Sequence, residues 1–457
     1  MHRGPRFSII IANYNGRHML APCLTSLEAA RSSRRLCEWI VVDNGSTDGS
    51  VDWIRRYFPR TRLVTLPHNQ GFTGAMHAGA QVADGEYLLL INNDMRVDPD
   101  WIDAFDEVLR GRGALCATGK VLDWDGRCID FIEGILLFDG HALQRYQGVP
   151  AERFADKSVS STFIACGGNM AVQKKLFQAL GGFDRDFFAY TEDVDLSWRL
   201  YAAGYQIFSV PNAVVYHRQQ ATSSRFGSYR RGFLYERNAF ACLYKNIDET
   251  YFPSLMHAAW VTLLHRTWQI AALVAPESVE ALKPPIQMES MPEKQTASAI
   301  ERIFRDDLSL LGEWFRKGLV SARRQGLRST LNRALERAGL LWHRVRSRPT
   351  SQHGRAFQPL YIEQPYILSQ FQAIWSICEM LQGLDRKRQE VQALRRRRDA
   401  DIFEEFPPWV VSTYPGDEQL FASPWFQRLL PQEIAYRFAT LREVYRDSTD
   451  ERHHSNL

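Results

Sequence analysis

FSIIIANYNGRHMLAPCLTSLEAARSSRRLCEWIVVDNGS, residues 7–46, decides the fold class of this chain. Two short apolar runs, FSIII (7–11) and WIVV (39–42), each end in a polar, turn-forming stretch. Between them Leu20, Leu24 and Leu27 recur at helical spacing. The same alternation continues outward through LVTL (63–66) and YLLLI (87–91), with Val51, Ile54 and Phe58 between. Unbroken apolar strands alternating with helices predict a parallel sheet covered on both faces. Ligands of such sheets bind at the carboxyl ends of the strands. The residues to read are therefore Asn13-Tyr14-Asn15, Asp43-Asn44-Gly45-Ser46, Asn69-Gln70-Gly71 and Asn92-Asn93-Asp94. Turn chemistry alone favours Asn, Asp and Gly at such places. All four ends being polar points to a site.

Working outward, 457 residues exceed one ordinary domain, and two or three are expected. The hydrophobic fraction of 45% supplies a substantial core. Seven scattered cysteines form no CxxC pair and no metal-like cluster, which reads as reduced intracellular thiols. RFSIIIANYN begins almost at once and reads as a strand rather than a signal peptide, so the cytosol is the default compartment.

The segment FFAYTEDVDLSWRLYAAGYQIFSVPNAVVYH (187–217) predicts a helix beginning at two adjacent carboxylates, Glu192 and Asp193. Thr191 suits the N-cap, Gly204 suits the C-terminal stop, and Val194, Trp198 and Tyr201 share one face. Acids in a first turn also complement the helix dipole, a purely structural alternative.

IIIANYNG, VVDNGSTDGS, NQGFTGAMHAG, LLLINND, CGGNMAVQKKLF, LGGFDRDFFAYTEDVDLSWRL and VVYH occur here in one order. That order resembles family 2 glycosyltransferases, and within them the bacterial rhamnosyltransferases of surface-polysaccharide assembly. The resemblance covers about residues 6–245. It implies a GT-A nucleotide-sugar-binding fold, a Rossmann-like mixed sheet flanked by helices, with a mainly helical C-terminal region. It also implies transfer of a sugar from a nucleotide-sugar donor to a glycan or glycolipid acceptor, with inversion.

Residue by residue, the resemblance assigns nucleotide binding to Ala12, Asn13, Asn15, Asp43, Gly74, Asn92, Asn93 and Asp94. Asp43 would accept the imide N–H of a uracil or thymine; its structural alternative is an Asx turn onto Gly45 or Ser46. Gly71, Gly74 and Gly79 would let backbone approach the nucleotide, or serve helix–sheet packing. Asn92-Asn93-Asp94 occupies the place of the family's DxD motif, with Asn92 where many relatives carry Asp. Asp94 and His217 would hold a divalent cation, Mg²⁺ or Mn²⁺, which takes oxygen ligands and completes its shell with phosphate. Asp193 would be the general base and Glu192 its orienting neighbour. Gly167, Gly168, Asn169 and Tyr190 would line the acceptor side, with Phe187 and Phe188 offering apolar surface.

Three regions are expected: a catalytic domain at 1–245, a helical, amphipathic and basic region at 246–350, and a mainly helical extension at 351–457. SLMHAAWVTLLHRTWQIAALVAP (254–276) is interrupted by His257, His265, Arg266 and Gln269, which disfavours a membrane span. A helix lying on protein or on a bilayer surface fits better. Residues 313–348 carry ten basic against two acidic residues, so a solvated face and an anionic membrane surface are both open readings. Nucleic acid is not expected, as no binding motif accompanies the charge. The extension has no nameable motif; packing on the catalytic domain, oligomerisation and partner binding all stay open. A nicotinamide oxidoreductase would show GxGxxG after the first strand, where this chain has ANYNG. A non-catalytic, membrane-docked scaffold is the alternative that Asn92 keeps alive.

Overall fold

The computed structural model describes residues 6–32, 37–154, 158–218, 227–274 and 365–445. The basic run 313–348 and the end of the 254–276 segment lie outside them.

The four apolar runs form β1 (Phe7–Asn13), β2 (Cys37–Asp43), β3 (Arg62–Thr65) and β4 (Tyr87–Asn92). They pair in parallel in the order β3-β2-β1-β4. Helices α1 (Arg17–Ala29), α2 (Ser50–Tyr57) and α3 (Gly71–Val82) make the crossovers. Along β1 and β4 alternate residues feed two cores. Ile10, Leu88 and Leu90 pack with Met76 of α3, whereas Phe7, Ile9, Ile11, Leu89 and Ile91 pack with Leu20 and Leu24 of α1. Burial on both faces is why these strands read as unbroken apolar runs.

Beyond β4 the sheet becomes mixed. Strand β5 (Met95–Val97) and helix α4 (Trp101–Gly111) follow, then β6 (Cys116–Asp123) and β7 (Ile129–Phe131). A hairpin, β8 (Glu133–Leu136) and β9 (Ala142–Arg145), stands apart. Strands β10 (Ser160–Ser161), β11 (Asn169–Gln173) and β12 (Phe208–His217) complete ten strands in the order β10-β12-β6-β11-β4-β1-β2-β3, with β5 on β12 and β7 on β6. Strand β11 runs antiparallel to both β4 and β6. Helix α5 (Lys174–Ala179) follows it, then α6 (Glu192–Ala202).

Helix α6 ends as its sequence predicts. Gly204 takes φ +88°, the Gly204 N–H reaches the Tyr201 carbonyl and the Tyr205 N–H reaches that of Leu200. This is the Schellman pattern, which favours glycine. The N-terminal expectation needs correction. Thr191 sits at the N-cap but in the left-handed region at φ +67°, and its side chain makes no capping bond.

Helices α7 (Gly227–Asn246) and α8 (Phe252–Val274) pack behind α6, joined by α9 (Pro365–Leu394). Short elements follow: α10 (Asp399–Glu405), β13 (Trp409–Ser412), α11 (Asp417–Ala422), α12 (Pro424–Gln427), β14 (Arg437–Thr440) and α13 (Leu441–Tyr445). Ile377, Leu384, Phe403, Phe421 and Phe426 share the core that holds Trp198 and Phe240. The extension 365–445 therefore completes the core over α6 and α7, and β13 pairs with β14 as a small parallel sheet.

Helix α8 lies on protein along much of its length. Leu255, Met256, Ala258, Ala259 and Leu263 are buried. The guanidinium of Arg266, 1% exposed, sits 2.9 Å from Asp139 and 3.0 Å from Asp417. Leu264 and Trp268 remain exposed. Among the described residues no helix is long and apolar enough to cross a membrane. All seven cysteines are free thiols. The run Arg395–Arg398 is not a bare charged face. The backbone N–H groups of Arg396 and Arg397 donate to the Ala202 carbonyl at the end of α6, and Arg395 pairs with Asp399 at 3.1 Å.

Candidate active site

The ends of β1, β2 and β4 are laced together by side-chain amides. Asn13 Nδ2 donates to Asp43 Oδ1 at 3.1 Å, and Asn93 Nδ2 donates to Asn13 Oδ1 at 2.9 Å. Asp43 Oδ2 accepts the Ser46 N–H at 3.0 Å, so the Asx turn forms. Each carboxylate oxygen has two lone-pair sites, so this turn leaves acceptor capacity on Asp43. Asn15, at φ +50°, donates its N–H to Ser46 Oγ and accepts from the Thr47 N–H, pinning the β1 loop to the β2 turn. Ala12 is half-buried beside them.

The glycines of α3 divide by position. A Cβ on Gly79 would strike Ile10 and Val42, so Gly79 serves helix–sheet packing. Gly71, at φ +76°, lies so close to the carbonyl and ring of Phe188 that no side chain fits. Gly74 abuts Gln70.

His217 reaches Asp94 through sheet register. It pairs with Met95, the residue after Asp94, across β12 and β5. The ring Nε2 then lies 3.5 Å from Asp94 Oδ2. Its Nδ1 lies 2.6 Å from Asp130 Oδ2. Burial opposes protonation of this ring, but hydrogen bonds to Asp130 and Asp94 prevail and push it up to about 10. Sequence reasoning missed Asp130; no local signal marks it, because β7 meets β12 only through β6.

The fit to a divalent cation can be tested on this geometry. A metal-binding histidine commonly donates its second ring N–H to a carboxylate, which fixes the tautomer. Asp130 stands in that position, and Nε2 and Asp94 converge on one point. Among the described residues no group of three or more His, Cys, Asp or Glu is arranged as a self-sufficient metal site. Asp94 and His217 offer two ligands, short of a full shell, so a cation held here would need further oxygen ligands from outside the protein.

Glu192 and Asp193 stand opposite, joined to the strand ends by the Gly167–Gly168 backbone. Gly167 N–H donates to Asp193 Oδ2 at 3.0 Å, and a Cβ on Gly168 would lie 2.9 Å from Asn92 Nδ2. Burial raises the Asp193 carboxyl, while N–H bonds from Gly167 and Val194 restrain the rise. Glu192 is buried, and its Oε2 has no hydrogen-bond partner. Burial and then the Asp193 charge push it up to about 8, so it is mostly neutral at pH 7. Half-exposed Asp193 is the better proton acceptor of the two.

The approach to this pair is strained. Phe188, Tyr190 and Thr191 all have φ between +65° and +70°. Such conformations persist only where the surroundings impose them. Here Asn238 of α7 imposes them. Its Nδ2 reaches the carbonyls of Phe187, Ala189 and Tyr190 at 3.0, 2.9 and 2.8 Å. A buried ion network lies beneath: Asp195 pairs with Arg199 at 2.7 Å and Lys245 at 2.8 Å, and Lys245 pairs with Asp184 at 2.6 Å. Lys387 of α9 bonds Asp184 and Asp186, tying the extension to this loop.

Two acceptor-side expectations are corrected. Asn169 is fully buried, its amide used within the fold: Trp101 Nε1 donates to Oδ1, and Nδ2 donates to the Lys120 and Ala213 carbonyls. Phe187 belongs to the core, leaving Phe188 and Tyr190 half-exposed.

Residues 8–181 match the model of Glycosyl transferase family 2. An uncharacterized protein of Sinorhizobium fredii is 27% identical over 49% of this chain and 25% of its own length. An O-antigen biosynthesis protein of Myxococcus xanthus is 27% identical over 48% of this chain and 18% of its own. The chain thus spans a quarter or less of these two relatives. An N-acetylglucosaminyl-diphospho-decaprenol L-rhamnosyltransferase of Mycobacterium tuberculosis is 28% identical over 48% of this chain and 77% of its own length.

Proposed function

From a chain that carries a family 2 glycosyltransferase domain with a GT-A-type mixed sheet, we propose an inverting enzyme of surface-glycan synthesis. It moves a sugar, rhamnose being the first candidate, from a nucleoside-diphosphate donor to a hydroxyl of a glycan or glycolipid. The observation that carries this reading is that the adjacent Gly167 and Gly168 join Asp193, through the Gly167 N–H, to Asn92 at the end of β4.

Asp43 and the Asn13–Asn93 amide chain orient the nucleoside. Asp94 and His217, the latter held by Asp130, would hold a divalent cation at the diphosphate. Such a cation, when bound, neutralises the charge that develops on the departing diphosphate. Asp193 takes the proton of the acceptor hydroxyl as its oxygen bonds to the anomeric carbon. The bond from that carbon to the diphosphate breaks, and its electron pair leaves with the nucleoside diphosphate. Attack opposite the leaving group inverts the anomeric centre. Neutral Glu192 keeps a second negative charge away from the base.

The basic composition of the run 313–348 supports a peripheral position on the anionic cytoplasmic face of a membrane, weakened by salt. Flotation with neutral and anionic vesicles tests this; equal recovery with both would remove it. The reaction itself is tested by hydrolysis across a panel of nucleotide sugars with Mg²⁺ or Mn²⁺. One donor should be turned over in a chelator-sensitive way, and no turnover of any donor would overturn the reading.

A further inference from the structure

A cleft of about 260 Å³ opens between α7, α8 and α9. Arg231 and Tyr235 of α7, Ile270 of α8, Ser369 and Gln370 of α9, and Tyr414 line it. None of these residues is used by the chemistry described above. The cleft adjoins the candidate acceptor side through Tyr235, whose ring lies 5.3 Å from that of Tyr190, two residues before Glu192.

The lining is neither a lipid groove nor an anion cradle. Gln370 is 2% exposed, yet its Oε1 has no hydrogen-bond partner. A buried amide oxygen without a donor is costly and calls for one from a ligand. Tyr235, 40% exposed, and Ile270 offer apolar surface, while Arg231 offers donors. Apolar and aromatic walls with a few convergent polar groups are the usual make-up of a small-ligand site. Hydroxyl groups around a ring whose C–H face is apolar match this lining. An acyl chain would leave Gln370 unsatisfied, and Arg231 alone does not make a phosphate site. At about 260 Å³ the space falls just short of the ~300–1,000 Å³ of drug-sized pockets, which suits a single sugar ring.

We propose that this cleft binds the acceptor's second sugar, the unit next to the one whose hydroxyl is attacked. It rests on the glycosyltransferase reading and makes the enzyme selective for acceptors at least two sugars long. Helix α9 and Tyr414, both from the C-terminal extension, would thereby set acceptor length.

The test is binding, so it does not depend on turnover. A library of p-nitrophenyl mono- and disaccharides is screened by saturation-transfer NMR against the full-length protein, with nucleoside diphosphate and Mg²⁺ present. At least one disaccharide should bind about tenfold tighter than its non-reducing monosaccharide. Ile270→Trp, which fills the cleft, and Gln370→Leu, which removes its acceptor, should each erase that advantage while monosaccharide binding persists. Circular dichroism confirms that both variants fold; if Ile270→Trp fails, Gln370→Leu alone decides. No disaccharide advantage in the native protein, or an advantage surviving in the folded variants, would overturn the proposal. Failure of the donor-hydrolysis panel would strike the enzymatic reading instead and leave this result standing as saccharide binding.

Discussion

His217 Nδ1 lies 2.6 Å from Asp130 Oδ2, while the opposite ring nitrogen lies 3.5 Å from Asp94 Oδ2. One imidazole thus bridges two carboxylates, one positioning the ring and one facing the candidate diphosphate site. An ionised carboxylate accepts only, so the Nδ1 proton stays on the Asp130 side, and a cation would bind Nε2 by displacing the proton that this nitrogen shares with Asp94.

Asp130→Asn keeps the shape but removes the charge that fixes this tautomer. Divalent-cation affinity in the presence of nucleoside diphosphate should fall by about 10–100-fold, the usual worth of such supporting partners. Asp94→Asn should lose more, because it removes a ligand. Without nucleotide, binding should be weak in all three proteins. Calorimetry with Mn²⁺ checks this, and tight binding to the nucleotide-free protein, indifferent to Asp94, would discard the metal site.

Asn238→Ala removes the amide that meets three carbonyls of the 187–190 loop. Leaving buried carbonyls unpaired costs about 1–3 kcal/mol. The left-handed stretch before Glu192 should relax, so turnover should fall while nucleotide affinity holds. Denaturant melts beside nucleotide titrations separate the two effects. Loss of nucleotide binding equal to the loss of turnover would indicate general unfolding.

Arg266 joins Asp139, near the β8–β9 hairpin, to Asp417 of the extension. Arg266→Met takes the guanidinium from two buried carboxylates, leaving Asp139 with His141 and Asp417 with the Thr413 and Tyr414 N–H groups, a loss of up to about 3–5 kcal/mol. Adding Asp417→Asn should return part of it. A single variant as stable as the native protein would show that the contact contributes no net stability.

How far the sequence carries follows from where each signal lies. The parallel strands β1 to β4 were legible because each is a local apolar run ended by polar turn residues, and Gly204 because a helix stop is a local event. Asp130, Asn238 and Arg266 were not legible. Their partners lie 87, 48–51 and 127–151 positions away, and only tertiary packing brings them together. Asn169 was misplaced because the GGN pattern does not reveal which way a strand's first side chain points. Here it points to Trp101, inside the sheet. Thr191 had the composition of a cap, but the clamp on the preceding loop holds it in the left-handed region instead.

The assignment of the base rests on the contrast between Glu192 and Asp193. The Glu192 carboxyl is raised from 4.5 to about 8 by burial and then by Asp193. A raised acid stabilises the fold fully below its unfolded value and loses that contribution as pH rises toward its folded value. Native stability should therefore decline between about pH 5 and pH 8, where Glu192→Gln, always neutral, should show a flatter profile. Thermal melts over that range read the difference, and parallel profiles would mean that Glu192 is not held neutral. The same variant should keep much of its turnover. Asp193→Asn retains size and hydrogen bonding to Gly167 but cannot take a proton, so transfer should fall by about 10²–10⁴-fold. Nucleotide affinity should barely move, because Asp193 meets the acceptor while Asp43 and Asp94 meet the donor. An inactive Glu192→Gln beside an active Asp193→Asn would exchange the two roles.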